Sequence, residues 1–192
     1  MNNIIKLLTV VSLCGCTVLW TGCNSLSPAE QNTREQYLAS VNQYSIRGKL
    51  AIFEKEGKGT ALLNLQVDRP SYTVYLTGAA GGTLLKIDKN ERFTEITDDK
   101  GNKRFSDNAD ALVTELTGYH IPCDTLPDII TAVPKDRPHT YASDGTVETI
   151  VFPEFTVTYK NYTKQKDVLV PKKLDIKGND FLLRINITKW EL

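Results

Sequence analysis

Histidine, methionine and tryptophan are scarce in this chain of 192 residues, which holds two, one and two of them. The two histidines, His120 and His139, lie far apart, and neither has Cys or Glu partners at ligand spacing. A metal centre is therefore not expected. No G-x-S-x-G elbow and no phosphate loop occurs, so no catalytic residues are assigned and the chain does not read as an enzyme. Charge of one sign is missing too. Lys+Arg number 23 and Asp+Glu 23, with no block of either, so neither nucleic acid nor a polybasic membrane contact is expected. Internal repeats and low-complexity tracts are absent. Cysteine is sparse and lopsided: Cys14, Cys16 and Cys23 crowd the start, and Cys123 stands alone after them.

What is present at the start is an export signal. Lys6 leads into an apolar run over residues 7–20, followed by Thr21, Gly22 and Cys23. The run falls short of the roughly 20 apolar residues a membrane span needs, and Ser12, Thr17, Gly15, Cys14 and Cys16 dilute it. A cysteine directly after small residues marks a bacterial lipoprotein signal, in which that cysteine receives acyl and diacylglyceryl groups. Cys23 is the favoured position, with residues 1–22 removed and 23–27 as a lipidated tether. Cys16, preceded by Leu13, Cys14 and Gly15, is the alternative. Asn24 is not aspartate, so nothing there argues for inner-membrane retention. Once the leader and its Lys6 are gone, 22 basic and 23 acidic residues remain, a net charge of −1. With Cys23 modified, Cys123 has no partner and reads as a small buried apolar residue. With Cys16 modified, Cys23 and Cys123 are both retained and a pairing stays open.

Residues 28–192 read as one domain. Ser27, Pro28 and Glu30 form a helix start of the capping-box kind, and Tyr37, Leu38, Val41 and Tyr44 follow as one inward stripe, with the helix ending near 41–42. From Ser45 the period becomes two. Strands separated by turns are predicted at 45–52, 60–67, 72–76, 83–87, 92–97 and 103–105, an antiparallel meander. Asp107 is read as the cap of a helix with Ala109, Leu112, Val113 and Leu116 on one face, stopped by Gly118. Thr125 is read as the cap of a second, with Leu126, Ile129, Ile130 and Val133 apolar. Strands return at 147–152 and 155–159, then around Leu174 and Ile176, and finally from Phe181 to Trp190. The fold class is mainly β with some α: a half-open antiparallel barrel of about ten or eleven strands, with short helices over its concave face. Such a face can hold an apolar ligand, or its residues can simply fill a core.

The ordered motifs add to this. Arg47-Gly48-Lys49-Leu50-Ala51 opens the first strand. Leu76-Thr77-Gly78-Ala79-Ala80-Gly81-Gly82-Thr83 makes a strand, loop and strand. Residues 109–122 make a helix and exit, and Pro171-Lys172-Lys173-Leu174 and Ile187-Thr188-Lys189-Trp190-Glu191-Leu192 close the chain. Behind a lipoprotein signal, this series resembles the LolB family of outer-membrane lipoprotein receptors over nearly the whole mature chain. The resemblance implies a monomer anchored in the inner leaflet of the outer membrane and facing the periplasm. It implies receipt of acylated lipoproteins from a LolA-like soluble carrier and their release into that membrane, with no cofactor beyond the N-terminal lipid. It implies a membrane-delivery loop at Gly78, Ala79, Ala80 and Gly81. The family usually carries Pro-Leu before its glycine there, whereas this chain has Ala79 and Ala80, which bury much less area. Leu84 and Leu85 are the nearest large apolar residues, and both read as strand. The acyl-chain lining is expected from Leu50, Ile52, Leu63, Leu65, Leu112, Leu116, Ile129, Ile130, Leu183 and Ile185. The alternative is a structural or regulatory outer-membrane lipoprotein with a filled core.

Overall fold

Alternation of apolar and polar side chains along eleven strands sets the architecture. A computed structural model describes residues 25–192, Glu56 excepted. The leader and both acylation candidates, Cys16 and Cys23, lie outside the described residues. The elements run α1 (Pro28–Ser40), β1 (Gln43–Glu54), β2 (Gly57–Asp68), β3 (Ser71–Thr77), β4 (Thr83–Lys89), β5 (Thr94–Asp98) and β6 (Lys103–Ser106). Then come α2 (Ala109–Thr117), α3 (Leu126–Thr131), β7 (His139–Tyr141), β8 (Val147–Val151), β9 (Thr156–Gln165), β10 (Val168–Lys177) and β11 (Phe181–Glu191).

All strands join one antiparallel sheet in the order β6-β5-β4-β3-β2-β1-β11-β10-β9-β8-β7. Two meanders thus meet where β1 pairs β11, and α2 and α3 are inserted between them. On β1, Tyr44, Ile46, Leu50 and Ile52 are buried while Arg47 and Lys49 face water. On β11, Leu183, Ile185 and Ile187 repeat the pattern, so the pleat of both strands aims one apolar row at the same concave side. At Gly48 the β1–β11 register shifts, and a Cβ there would stand 2.5 Å from the Asn186 carbonyl oxygen. Only a bare backbone fits this approach.

The first helix starts as its residues dictate. The Ser27 N–H donates to Glu30 Oε2 at 2.8 Å, and the Glu30 N–H returns to Ser27 Oγ at 3.4 Å. The Ser27 N–H and, beside it, the Ser27 hydroxyl, donating to the same Oε2 at 2.7 Å, hold the Glu30 carboxyl below its usual range. Its inward stripe differs from the expected one. Val41 turns to an extended conformation, so Tyr44 belongs to β1; Tyr37 is exposed, and the buried residues of α1 are Arg34 and Leu38. The cap of α2 is Asn108 rather than Asp107, its side chain accepting from the Ala111 N–H at 2.9 Å. Thr125 precedes α3 in a helical backbone conformation that turns its hydroxyl away from any capping bond. Two strand assignments also change. A short strand, β7, forms directly after Pro138, ahead of the first strand expected in this half. Strand β10 extends back to Val168 across Pro171, whose missing donor is accommodated by a register shift at that point. The Pro171 carbonyl instead accepts from Trp190 Nε1 at 2.8 Å.

Across β9, β10 and β11, Asp175 binds Arg184 Nε at 2.8 Å and Lys160 on its other side. The Arg184 hydrogen bond, with help from Lys160, holds the Asp175 carboxyl below its ordinary value against the opposing effect of burial. A carboxyl depressed in the fold stabilises above its unfolded pKa and loses that contribution as pH falls through the folded value. Asp175→Asn therefore flattens the acid limb of a stability-versus-pH curve below about pH 4, a change readable by denaturant titration at stepped pH. Gly48→Ala must push β1 from β11; a loss of about 2 kcal/mol is expected, seen as a fall of roughly 4–8 °C in Tm by calorimetry.

Candidate functional site

The concave face of the sheet is apolar from β5 to β8, and water must be kept off it. Two helices do this. Ala109, Leu112 and Val113 of α2 are buried against it, as are Leu126, Ile129 and Ile130 of α3. Of the ten residues expected to line an acyl cavity, nine are buried members of one continuous core and Leu116 is half-buried against it. Those side chains pack on one another as one core. Two recesses lie on the convex face and at a rim, lined by residues such as Asn64, Gln66 and Thr73 or Asp107, Asn108 and Glu154.

The helices are fastened unequally. The chain from Cys123 to Ala132 is nailed down by buried bonds. Tyr72 Oη donates to the Cys123 carbonyl at 2.8 Å, Tyr44 Oη to Pro127 at 2.6 Å and Tyr159 Oη to Ile129 at 2.8 Å. Arg34, reaching across from α1, donates through Nη2 to Thr131 O at 3.1 Å, through Nη1 to Ala132 O at 3.2 Å and through Nε to Leu169 O at 2.7 Å. Its guanidinium also sits 5.3 Å from the centre of the Tyr162 ring. Burial lowers the Arg34 pKa, while burial pushes the Tyr44, Tyr72 and Tyr159 hydroxyls well up, so each stays a donor at neutral pH. Burial likewise pushes up the thiol of Cys123, which is fully buried.

By contrast, α2 is held at its ends by more exposed contacts. Arg104 Nη2 meets Glu115 Oε1 at 2.7 Å, and the Ala109 N–H donates to Asp124 Oδ2 at 3.2 Å. Asp110, its carboxyl raised by burial, accepts from the Asp124 N–H at 2.8 Å. After Gly118, at φ 73°, Tyr119 lies over the glycines that open β2: a Cβ at Gly59 would be 3.3 Å from its ring. The His120 N–H donates to Glu54 Oε1 at 2.7 Å, and its ring stacks on Phe181 with centroids 5.7 Å apart.

The four residues of the expected delivery loop form one turn. The Gly81 N–H donates to Gly78 O at 2.9 Å and the Gly78 N–H to Gly82 O at 2.8 Å, with Ala79 and Ala80 exposed. The turn lies beside the convex face, where Ala79 shares a recess with Ala51 and Leu62, and of the ten lining candidates Leu50 borders that recess. Of the tether, residues 25–27 are described, and the Leu26 N–H is tied to Asp144 O at 2.7 Å.

Sequence reasoning missed Arg34, Tyr119 and the role of the inward tyrosines. A signal existed for the tyrosines: Tyr44, Tyr72 and Tyr159 occupy core positions of their strands, where a hydroxyl needs a partner. Arg34 lies four positions before Leu38, on the same helical face. Arg34→Met strips three buried carbonyls of their donor, and a stability loss of about 3 kcal/mol by urea unfolding is expected, with Arg34→Lys restoring only part because an ammonium cannot span the same fork.

Comparison with known proteins places this arrangement. The family model described as outer membrane lipoprotein LolB matches residues 42–190. The outer-membrane lipoprotein LolB of Tolumonas auensis is 30% identical over 97% of this chain and 98% of its own length. That of Aeromonas hydrophila is 26% identical over 100% and 99%. Among solved structures, a LolA superfamily protein from Nitrosomonas europaea superposes with a TM-score of 0.53 at 7% identity, covering 88% of this chain and 94% of that one. A DUF1329 family protein from Desulfovibrio piger gives 0.55 at 6%, covering 84% and 90%. These two likenesses concern the fold, an open curved sheet with few helices. With the family's model matched over residues 42–190 and a relative aligned end to end, the chain belongs to the LolB family of outer membrane lipoproteins.

Proposed function

We propose that this protein receives acylated lipoproteins from a LolA-like periplasmic carrier and releases them into the outer membrane. Residues 28–192 form the binding domain, and a lipid on Cys23, or on Cys16, holds it to the inner leaflet through a tether at 23–27. A role in lipoprotein sorting at the outer membrane comes with the family. The observation that carries the finer reading is the unequal fastening of the two covering helices above a mainly apolar face. The segment of α3 is locked by the three tyrosines and Arg34. Apart from the apolar contacts of Ala109, Leu112 and Val113, the α2 side has one exposed ion pair, Arg104–Glu115, a few hydrogen bonds with Asp124, and Tyr119 behind a glycine in the left-handed conformation. An incoming acyl chain enters by lifting α2 and Tyr119, and Leu112, Leu116, Leu50, Ile52, Leu63, Leu65, Leu183 and Ile185 then face it. Ile129 and Ile130 form the fixed wall.

The energetics allow such an opening. A sixteen-carbon chain carries roughly 14 methylenes, worth about 11 kcal/mol if all leave water. That gain offsets the loss of the Arg104–Glu115 pair, worth under about 1 kcal/mol, while the incoming chain takes over the apolar contacts of Leu112 and Val113. Passage between carrier and receptor requires no covalent step and no nucleotide, since a difference of about 1.4 kcal/mol between two sites biases transfer tenfold. The filled interior favours one second reading, a structural or regulatory outer-membrane lipoprotein that transfers nothing.

Fluorescent fatty-acid displacement separates the two. Protein beginning at Asn24 is expected to bind saturably, and Tyr119→Ala to quicken the on-rate several-fold by removing the ring over Gly57 and Gly59. Absence of saturable binding, together with normal lipoprotein sorting in cells depleted of the protein, sinks the transfer reading and leaves the structural one.

A further inference from the structure

The first of the described residues are fastened to the second meander. The Leu26 N–H donates to Asp144 O at 2.7 Å, in the turn between β7 and β8. That turn is closed by its own bonds. The Gly145 N–H donates to Ala142 O at 2.9 Å, the Ala142 N–H to Thr146 O at 2.8 Å and the Thr146 hydroxyl to Asp144 Oδ1 at 2.6 Å. The Thr146 hydroxyl and N–H hold the Asp144 carboxyl below its ordinary range. Leu26 sits hard against the turn: a Cβ on Gly145 would stand 2.5 Å from Leu26 O and 2.9 Å from Leu26 Cβ. Directly after it the Ser27 cap opens α1, which is itself docked. Glu35 Oε1 accepts from Tyr141 Oη at 2.9 Å, and Arg34 is bound to Thr131, Ala132 and Leu169. The tether therefore leaves the body at one place, beside residues 142–146.

That place is set toward the opposite end of the strands from Tyr119, past which acyl chains enter. Val151 pairs with Thr156, Thr156 with Lys177, Lys177 with Leu182 and Leu182 with Phe53. Strand β8 thus finishes near the Glu54 end of β1, and the turn that precedes it points toward the Gln43 end. Tyr119 and His120, over Gly59 and against Glu54, lie at the other end. So does the turn at 99–102, because Thr94 leads through Lys89, Tyr72 and Val67 to Tyr44, and β5 runs away from that row. Three peptide steps separate Leu26 from Cys23, and fully extended they reach about 10–11 Å. The twelve residues of β1 alone run roughly 36 Å. A lipid on Cys23 therefore holds the 142–146 turn at the bilayer, on a link much shorter than the domain is long.

We infer that Leu26 and the β7–β8 turn form a clip that orients the anchored domain: residues 142–146 stand against the membrane surface, and the Tyr119 entrance opens away from it, toward an arriving carrier. The inference rests on the reading that Cys23 bears the lipid and that acyl chains enter past Tyr119. The turn residues Ala142, Ser143, Asp144, Gly145 and Thr146 include no cation, so the short link, and not attraction to lipid phosphates, sets the orientation. A lipid on Cys16 gives a link of ten steps instead, reaching about 35 Å, which fixes no orientation.

The test uses the full acylated protein, reconstituted on vesicles whose headgroups carry a fluorescence quencher. Cys123 is fully buried, so a cysteine placed on the surface can be labelled without competition from it. A fluorophore on Ser143→Cys is expected to be quenched several-fold more than one on Asp99→Cys, at low and at high salt alike. Leu26→Pro removes the N–H that binds Asp144 and touches no core position; it is expected to abolish the difference and to leave fatty-acid displacement unchanged. Inserting about ten glycine and serine residues between Asn24 and Ser25 is expected to abolish it too, with the clip itself intact. Equal quenching at the two sites, or stronger quenching at Asp99→Cys, overturns the inference. So does a difference that survives both Leu26→Pro and the insertion. Mass spectrometry that finds the lipid on Cys16 in the same preparation overturns it as well. Failure of fatty-acid displacement with the quenching pattern intact removes the transfer reading and leaves the clip standing.

Discussion

A helix of six residues cannot satisfy its own backbone, and α3 is one. Its last carbonyls have no partner within the helix, and they are buried where water does not reach. The sheet beneath and the helix beside it supply donors along the segment: Tyr159 to Ile129 and Arg34 to Thr131 and Ala132 at its end, Tyr44 to Pro127 in its first turn and Tyr72 to Cys123 just before it. Each tyrosine places at a core position a group that must find an acceptor, and each finds one in the segment from Cys123 to Ile129. That constraint sets where α3 lies and therefore how deep the apolar interior is. It also explains why a charge can sit inside this core. Arg34 meets three carbonyls in a fork that its planar head is shaped to fill.

The covering layer is consequently of two kinds. Strong, buried, directional bonds hold one half, and contacts that water can replace hold the other. Local opening follows the cheaper route, since stability within a protein is distributed unevenly and segments with solvent-accessible bonds open first. The filled interior and a binding role are compatible on this footing. Side chains occupy the space while no guest is present, which avoids a void that would cost stability.

Much of this was legible in the chain. Period-two alternation on β1 and β11, turn residues at short intervals and small residues before Cys23 gave the open antiparallel sheet and the exported class. The ordered motifs gave the family. What stayed hidden was decided by contacts between distant residues. Tyr44 fits a helical stripe after Tyr37 and Leu38 as well as it fits a strand, and only its bond to Pro127, 83 positions away, settles the matter. The part of β10 around Pro171 has no ladder donor there, and the contact that marks it comes from Trp190, 19 positions on. Nothing local to Arg34 reveals that the end of α3 and the start of β10 converge on it. Among the site residues, the apolar positions were recoverable from pattern, whereas Tyr119 owes its place to glycines 60 and more residues earlier.

The sheet begins at β6 and ends at β7, four and three residues long, and these two never pair. A cylinder sealed by hydrogen bonds has one bore, because strand number and stagger dictate its diameter. This sheet has a seam instead. Its curvature is not fixed by a closed ring of ladder bonds, so a change of girth costs no pairing between β6 and β7. The stubby margins, one bearing Lys103 and Arg104 and the other preceded by Pro138, keep that seam from recruiting a neighbouring molecule's strands.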